Sequence, residues 1–362
     1  MIKVIDLHCD TVGETLAGAD LIDGNPAGNI DLKRLREGGV YAQVFACFIS
    51  SEVPQKSAFR RTMEMVTQIH RLCNDNPTVL KLTASPSDLK PSGAFDGMFA
   101  LIAVENGYAI ENDLKNLERL KQQHVCYMTL THSKHLPWAA SSGESTGSVA
   151  GLSPFGREVI RLMNELGMII DVSHVHETTF RDAIRISKKP LIASHSNTRA
   201  ICDIPRNLSD DQIKAIAHNG GMIGVNFFPG FLDQAYAEAL KIHCSDLFAE
   251  IDKIETAHLD DPVEKSRAMQ SFGRELQTRM KDYPVPPTRI IDHISHIADI
   301  AGVDHVGFGS DFDGVPSLPL GIGGSDCFPS LLDDMRLRGF SEEDIRKISG
   351  ENFIRVLEEN SV

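Results

Sequence analysis

The chain has 362 residues, 42% hydrophobic and 24% charged, proportions that sustain a large buried core and exclude disorder as the main state. Its 50 acidic against 36 basic side chains leave a formal net charge of −14, and no Lys/Arg-rich run offers phosphates a positive footprint, so nucleic acid is excluded as a partner. Seven cysteines (9, 47, 73, 126, 202, 244 and 327) are scattered and never form a CxxC pair, which argues against a disulfide framework or a Cys-based zinc site and for a reducing compartment.

The first residues, Met1-Ile-Lys-Val-Ile-Asp-Leu-His8, enter a strand at once and lack the regions of a secretory signal. No stretch approaches the ~20 apolar residues of a membrane span. The expectation is a cytoplasmic chain with no membrane insertion. Along the chain, short apolar runs alternate with amphipathic ones, the pattern of parallel strands with crossover helices. Eight runs read as strands: 3–8, 42–48, 99–105, 126–132, 168–174, 191–195, 222–228 and 306–311. Helix punctuation lies between them, as in Ser153-Pro154 opening a segment that ends at Gly167, and Ser209-Asp-Asp opening one that ends at Gly220-Gly221. Count and alternation predict an α/β fold, a (β/α)8 TIM-type barrel, as one domain over residues 1–362. An open doubly wound sheet is the competitor, but it announces a Gly-rich phosphate loop after its first strand, where this chain has His8-Cys9-Asp10.

A stretch at about 230–287 separates the seventh strand from its helix, far longer than the usual connection. Helical patterns over 233–256 and 262–281 make it a helical insert after strand 7. It roofs the catalytic face or pairs two chains in a homodimer, and the plain alternative is a solvated elaboration. The polar loop Ser141-Ser-Gly-Glu-Ser-Thr-Gly-Ser148 is suited to moving over a small substrate. Near the end, Ser341-Glu-Glu-Asp-Ile345 starts a capped helix and 352–357 continues an amphipathic one.

Six of the eight runs end in a metal-binding or ionisable side chain: His8, Glu105, His132, His174, His195 and Asp311. Barrel enzymes build their sites at the C-terminal ends of the strands, so these six converge on one rim. His8 and Asp10, two apart on an extended backbone, project to one face and can grip a cation together. His174 and His195 are nitrogen ligands of the kind zinc favours, and Glu105 is the carboxylate available to bridge a second cation. The fourth run, Met-Thr-Leu-Thr-His132, holds no lysine that could serve as the carboxylated bridge of many barrel amidohydrolases. Asp313 lies close enough to Asp311 to share its role. His176 reads as a helix cap, His135 as a supporting residue, and the remaining histidines carry no chemistry.

The phrases Asp6-Leu-His-Cys-Asp10, Tyr127-Met-Thr-Leu-Thr-His132, Gly151-Leu-Ser-Pro-Phe-Gly156, Ile170-Asp-Val-Ser-His174, Ser194-His-Ser196 and Gly307-Phe-Gly-Ser-Asp-Phe-Asp-Gly314 closely resemble those of the membrane (renal) dipeptidases, in the same order over nearly the whole chain. The resemblance implies two zinc ions, one held by His8, Asp10 and Glu105 and the other by Glu105, His174 and His195, with Glu105 bridging. It makes Asp311 the proton carrier, His132 the stabiliser of the tetrahedral oxyanion, and Arg206, eleven residues beyond His195, the group that grips a substrate carboxylate. The implied partner is a small dipeptide, including one with a C-terminal D-residue. The zinc assignment rests on the resemblance, because manganese or cobalt suits the same ligand set. Where the family follows its bridging glutamate with two glycines, this chain has Asn106-Gly107, which touches loop shape more than chemistry. Two other readings stand beside it: a different metal-dependent amide or lactam hydrolase on the same barrel, and a catalytically silent metal-binding barrel.

Overall fold

The computed structural model of the chain describes residues 2–90, 95–144 and 150–362. Nine parallel strands form its sheet: β1 (Val4–Cys9), β2 (Val40–Phe48), β3 (Leu80–Leu82), β4 (Met98–Glu105), β5 (Val125–Thr129), β6 (Ile169–Asp171), β7 (Ile192–Ala193), β8 (Met222–Val225) and β9 (Val306–Phe308). Neighbours run β2-β1-β9-β8-β7-β6-β5-β4-β3, and a further pairing of β2 with β4 closes the ring. Eight strands thus form a closed barrel, which excludes the open doubly wound sheet. The remaining strand, β3, pairs with Met98–Ala100 at the start of β4, the part that β5 does not reach.

All eight expected strands are present, but most end earlier than expected. Regular pairing stops at Thr129, Asp171, Ala193 and Phe308, so His132, His174, His195 and Asp311 stand in the loops two or three residues beyond. The apolar runs continue past the pairing because the loop roots are buried too, and burial alone does not distinguish a strand from the loop that leaves it. His174 and Asp311 adopt positive φ, 66° and 63°. That left-handed backbone is costly for residues other than glycine and ends a strand locally.

Side-chain alternation divides the core in two. Ile5, Leu7, Ala42, Val44, Phe99, Leu101, Ala103, Tyr127, Ile169, Ile192 and Met222 fill the barrel, whose lower end is closed by Phe353, Val356 and Leu357. Their strand neighbours, such as Ala100, Ile102 and Val104, face the helices. By this parity Glu105 follows Phe99, Leu101 and Ala103 onto the inner face of β4 and caps the apolar lumen. In β1 three steps from Asp6 to Cys9 oppose two on β2, from Gln43 to Phe45. This bulge lets His8 reach the barrel mouth directly above the inward-facing Leu7.

The crossover helices follow their signals. Helix Pro154–Leu166 starts on Ser153, whose hydroxyl accepts from the Gly156 amide at 3.2 Å, and stops at Gly167 with φ 64°. It buries Gly156, Val159, Ile160 and Met163 at helical spacing. Each large side chain so buried contributes roughly 1.5–3 kcal/mol. Helix Asp210–His218 begins in a full capping box of Ser209 and Gln212.

Between β8 and helix Thr288–Ala301 lie Pro229–Leu232, Gln234–His243, Ser245–Phe248, Ile251–Ala257 and Pro262–Met280. The helix expected over 233–256 is therefore three pieces, broken at Cys244, whose buried side chain and φ of −134° turn the chain, and again at Ala249-Glu250. Helix Pro262–Met280 reaches the barrel mouth, where the Ser266 hydroxyl donates to Glu14 at 2.7 Å. No helix among the described residues is long and apolar enough to cross a membrane.

Candidate metal centre and active site

Residues from six strand ends meet above the apolar lumen. Glu105 Oε2 lies 3.4 Å from His8 Nε2, while its other oxygen, Oε1, lies 3.1 Å from His174 Nε2, 3.4 Å from His195 Nε2 and 3.8 Å from His132 Nε2. One carboxylate thus faces two sets of imidazoles, one per oxygen. On the first side, His8 Nε2 also stands 3.6 Å from Asp10 Oδ2 and 3.9 Å from Asp311 Oδ1. On the second side, the Nε2 atoms of His174 and His195 are 2.8 Å apart.

Three triads bring ligand atoms within 4.8 Å of one another: His8, Glu105 and His195; Glu105, His132 and His174; and His8, Asp10 and Asp311. All five residues expected to hold metals are therefore together. The grouping is tighter than two separate sets, because the His8 and His195 rings stack with centroids 3.8 Å apart. His132 is the most exposed of the four histidines, with 29% of its side chain open.

Two buried site atoms, His8 Nε2 and Asp10 Oδ1, have no hydrogen-bond partner among the described residues. A buried polar atom left unpaired costs about 1–3 kcal/mol, more when charged, so these atoms are arranged for something that binds them. Neighbouring groups set the tautomers. The Tyr127 hydroxyl donates to the Leu7 carbonyl at 2.7 Å, so His8 Nδ1, 2.7 Å from that oxygen, must be the donor to it. His8 Nε2 is then the ring position left to hold a cation, proton or metal ion, between the imidazole and the carboxylates. Imidazole and carboxylate donors at this spacing fit a first-row divalent cation.

Charge balance points the same way. Burial pushes the His174 and His195 imidazoles well below their usual pKa, with Arg206 adding to the effect, so both are neutral and ligand-competent. Burial also lowers His132, against the pull of Glu105 and Asp10. At Glu105 burial acts upward, but His8, His174 and His195 outweigh it and hold the carboxyl well below its usual range. Burial raises Asp311 well above a normal carboxyl, helped by the charges of Asp10 and Glu105 and opposed by His8. His8 is driven down by burial, yet Glu105 and Asp10 raise it well above the histidine range. Three crowded carboxylates thus draw positive charge into the pocket.

Arg206 reaches the rim from the loop after β7. Its Nη2 donates to the His195 carbonyl at 2.7 Å and its Nη1 to the Ser196 hydroxyl at 2.8 Å, while Nε is buried without a partner among the described residues. Burial pushes the guanidinium down to about 10, against the pull of Asp311 and Glu105, so it stays charged at neutral pH. Asp311 and Asp313 point apart. Asp311 Oδ2 accepts from the Asn226 amide at 2.7 Å, whereas Asp313 accepts from the Thr11 hydroxyl and the Asn29 amide, both at 2.6 Å. A Cβ at Gly314 would come within 2.1 Å of Asp10 and 2.3 Å of Asp311, so only glycine lets the turn close against both.

His176 caps helix Glu177–Ile186 through Nδ1, as expected. His135 Nδ1 accepts from the Ser141 amide at 3.0 Å, and Ser141 in turn donates to the His132 carbonyl. Ser145 to Ser148 of the expected mobile loop lie outside the described residues. Sequence reasoning missed Asn226, Tyr127, Phe48 and the serines Ser194 and Ser310. Phe48 ends β2 with its ring 4.5 Å from that of His132. Position was a signal for all but Tyr127, which sits near the start of its expected strand, whereas the others lie at or near the end of theirs.

Relatives share this frame. Dipeptidase 3 of Mus musculus is 28% identical over 333 residues, 91% of this chain but 57% of the mouse protein, so the chain spans little more than half of that relative. Dipeptidase AC, a solved metallo peptidase of family M19, is 25% identical with a TM-score of 0.80, covering 99% of this chain and 98% of its own. A Rhodobacter sphaeroides metallo peptidase, solved with a phosphinate mimic of the dipeptide L-Ala-D-Ala, superposes with a TM-score of 0.79 at 24% identity over 99% of both chains. The family model of membrane dipeptidase, peptidase family M19, matches residues 1–362, and the chain belongs to that family.

Proposed function

We propose that the chain is a metal-dependent dipeptidase in which Glu105 bridges two zinc ions. His8 and Asp10 would hold one ion, and His174 and His195 would hold the other. The observation that carries this reading is the division of Glu105, with one oxygen toward His8 and the other toward His174 and His195. Bound cations supply Lewis acidity at the scissile carbonyl and make water a nucleophile near neutral pH.

The chain's own residues do the rest. Arg206 binds the substrate's terminal carboxylate, with its unpaired Nε–H and free Nη protons forming the planar fork that carboxylates fit. Asp311, anchored by Asn226 through Oδ2, takes the proton of the attacking water on Oδ1 and returns it to the departing amine. His132, neutral and the most open of the histidines, donates to the tetrahedral oxyanion.

The insert covers this mouth from one side. Lys265 on helix Pro262–Met280 pairs with Glu255 at 2.7 Å and stands 5.9 Å over the Phe48 ring. Lys134, beyond β5, joins Glu52 to Asp252 of the insert. These contacts support a roof that limits substrate length more directly than they support a dimer contact. The seven free cysteines favour a reducing, cytoplasmic setting.

Metal analysis of the purified chain, with a panel of L,L and L,D dipeptides, tests the reading. Two zinc equivalents and turnover of free dipeptides are expected, and loss of both in Glu105→Ala. Full activity in Glu105→Ala sinks the two-metal model. The L-Ala-D-Ala mimic in the Rhodobacter sphaeroides neighbour makes the L,D members the informative half of the panel.

A further inference from the structure

Two seams of the barrel carry little regular pairing. Between β1 and β9 the registered strand pair is Asp6 with Phe308, continued past the strand end by a bridge of Cys9 to Phe312 and by the backbone bonds of Asp311 to His8 and of Asp10 to Phe312, and between β6 and β7 it is Asp171 with Ile192. The same device recurs at both. Two residues beyond the paired position stands a serine, Ser310 or Ser194, and the aspartate holds it twice. Asp6 accepts from the Ser310 amide at 2.8 Å on Oδ1 and from its hydroxyl at 2.6 Å on Oδ2. Asp171 accepts from the Ser194 amide at 2.9 Å on Oδ1 and from its hydroxyl at 2.6 Å on Oδ2. All four side chains are fully buried.

A buried carboxylate is expensive unless several donors satisfy it. Asp171 has two more, the Ser173 amide at 3.0 Å and the Thr129 hydroxyl at 2.6 Å, and Asp6 has the Gln43 amide at 2.9 Å. The next residue after each serine belongs to the site: Asp311 after Ser310, His195 after Ser194. Each aspartate also sits two or three residues before a site histidine, His8 on the same strand or His174 in the loop that follows β6.

We propose that these aspartate–serine clips are positioning devices that fix the spacing of site residues across the two weakly paired seams, and that Ser194 in addition fixes the tautomer of His195. The Ser194 hydroxyl proton is committed to Asp171, so His195 Nδ1, 2.7 Å from Ser194 Oγ, donates to it. His195 Nε2 then carries the lone pair and faces Glu105. Outer partners of this kind typically govern ligand affinity by 10- to 100-fold. The second clip has no such link to a ring, because Ser310 touches Asp6 and the backbone carbonyl of His8. The two clips therefore act on different steps, Ser194 on metal retention and Ser310 on the placement of Asp311.

The inference rests on the two-metal reading, and titration of the metal-stripped chain with zinc separates the two. Wild type is expected to bind two equivalents. Ser194→Ala keeps the backbone clip and is expected to weaken one equivalent by about 10- to 100-fold. Ser310→Ala is expected to bind both as wild type does, and to lower kcat at least fivefold with KM unchanged. Should Ser194→Ala be insoluble, Thr129→Val, which loosens Asp171 without touching a ligand, is expected to weaken the same equivalent several-fold. Two equivalents held with wild-type affinity in Ser194→Ala, or in Thr129→Val where that variant replaces it, overturn the clip alone. So does a fall in thermal midpoint in both serine variants with neither zinc affinity nor kcat altered. A wild-type chain that takes up no zinc overturns the functional reading and the clip together.

Discussion

Asn226 donates its side-chain amide to Asp311 Oδ2 at 2.7 Å, leaving Oδ1 as the oxygen directed at His8. The orientation of that amide is fixed independently, since Asn226 Oδ1 accepts from the Phe228 amide at 2.6 Å and the Asn226 backbone amide donates to Asn197 at 2.8 Å. Asn226→Ala should therefore free Asp311 to rotate without removing a metal ligand. Kinetics and metal analysis on one preparation check this: kcat falls about tenfold, short of the roughly 10²–10⁴ that losing a proton carrier itself costs, and metal content holds. A loss of metal in this variant would place Asn226 among the supports of the cations.

The two aspartates of Asp311-Phe-Asp313 separate by both activity and pH. Asp311→Asn should cost about 10²–10⁴ in kcat, as expected for a proton carrier. Asp313→Asn should keep most activity, because Asp313 is turned to Thr11 and Asn29. Burial raises the Asp313 carboxyl to about 6, outweighing its hydrogen bonds. A carboxyl with a raised folded-state pKa contributes stability below its unfolded value near 4 and loses it as pH rises through about 6. Asp313→Asn removes that loss and also suits the positive φ of 64°. Thermal melts should find it more stable than wild type at pH 7.5, with the advantage shrinking towards pH 4. An advantage independent of pH would mean that backbone geometry alone is responsible.

Arg206 offers a test of substrate recognition. Arg206→Ala should raise KM for dipeptides by roughly 10- to 100-fold, the equivalent of about 1.5–3 kcal/mol for a charged hydrogen-bonded contact, and change kcat less. Arg206→Lys should not restore it, because an ammonium cannot reproduce the fork that holds Ser196 and the His195 carbonyl while leaving Nε free. Dipeptide amides, which lack the carboxylate, should lose their discrimination between wild type and Arg206→Ala.

How much of this was legible in the sequence depended on what each signal encodes. Apolar runs with polar ends marked the eight barrel strands, and the residues at those ends, His8 and Glu105 above all, lie where the runs placed them. The same runs overshot at His132, His174, His195 and Asp311, because apolar composition reports burial and not hydrogen-bonded register. Nor could alternation reveal the bulge that brings His8 inward one residue after Leu7, since a bulge is set by the pairing of two strands. Asp171 and Asp6 were invisible as partners of Ser194 and Ser310 for a related reason. Contacts between residues 23 or 304 positions apart follow from barrel closure, which no local pattern contains.

The insert provides the last test, through Phe48 and Lys265. Phe48 ends β2, and its ring lies tilted against His132 at 4.5 Å, with the Lys265 ammonium 5.9 Å from the ring centre. Lys265 is held by Glu255, the one buried residue of helix Ile251–Ala257. Truncating Phe48 to Ala removes the surface that keeps His132 facing the site, so kcat should fall about tenfold, well short of the 10²–10³ that losing an oxyanion donor outright costs. Lys265→Ala leaves the buried Glu255 carboxylate without its partner, so some fall in melting temperature is expected and is not the readout of the roof. Opening the roof should instead relax the length limit, and hydrolysis of tripeptides relative to dipeptides measures it directly. A Lys265→Ala variant that still excludes tripeptides as wild type does would show that the insert, although it covers the mouth, does not set substrate length.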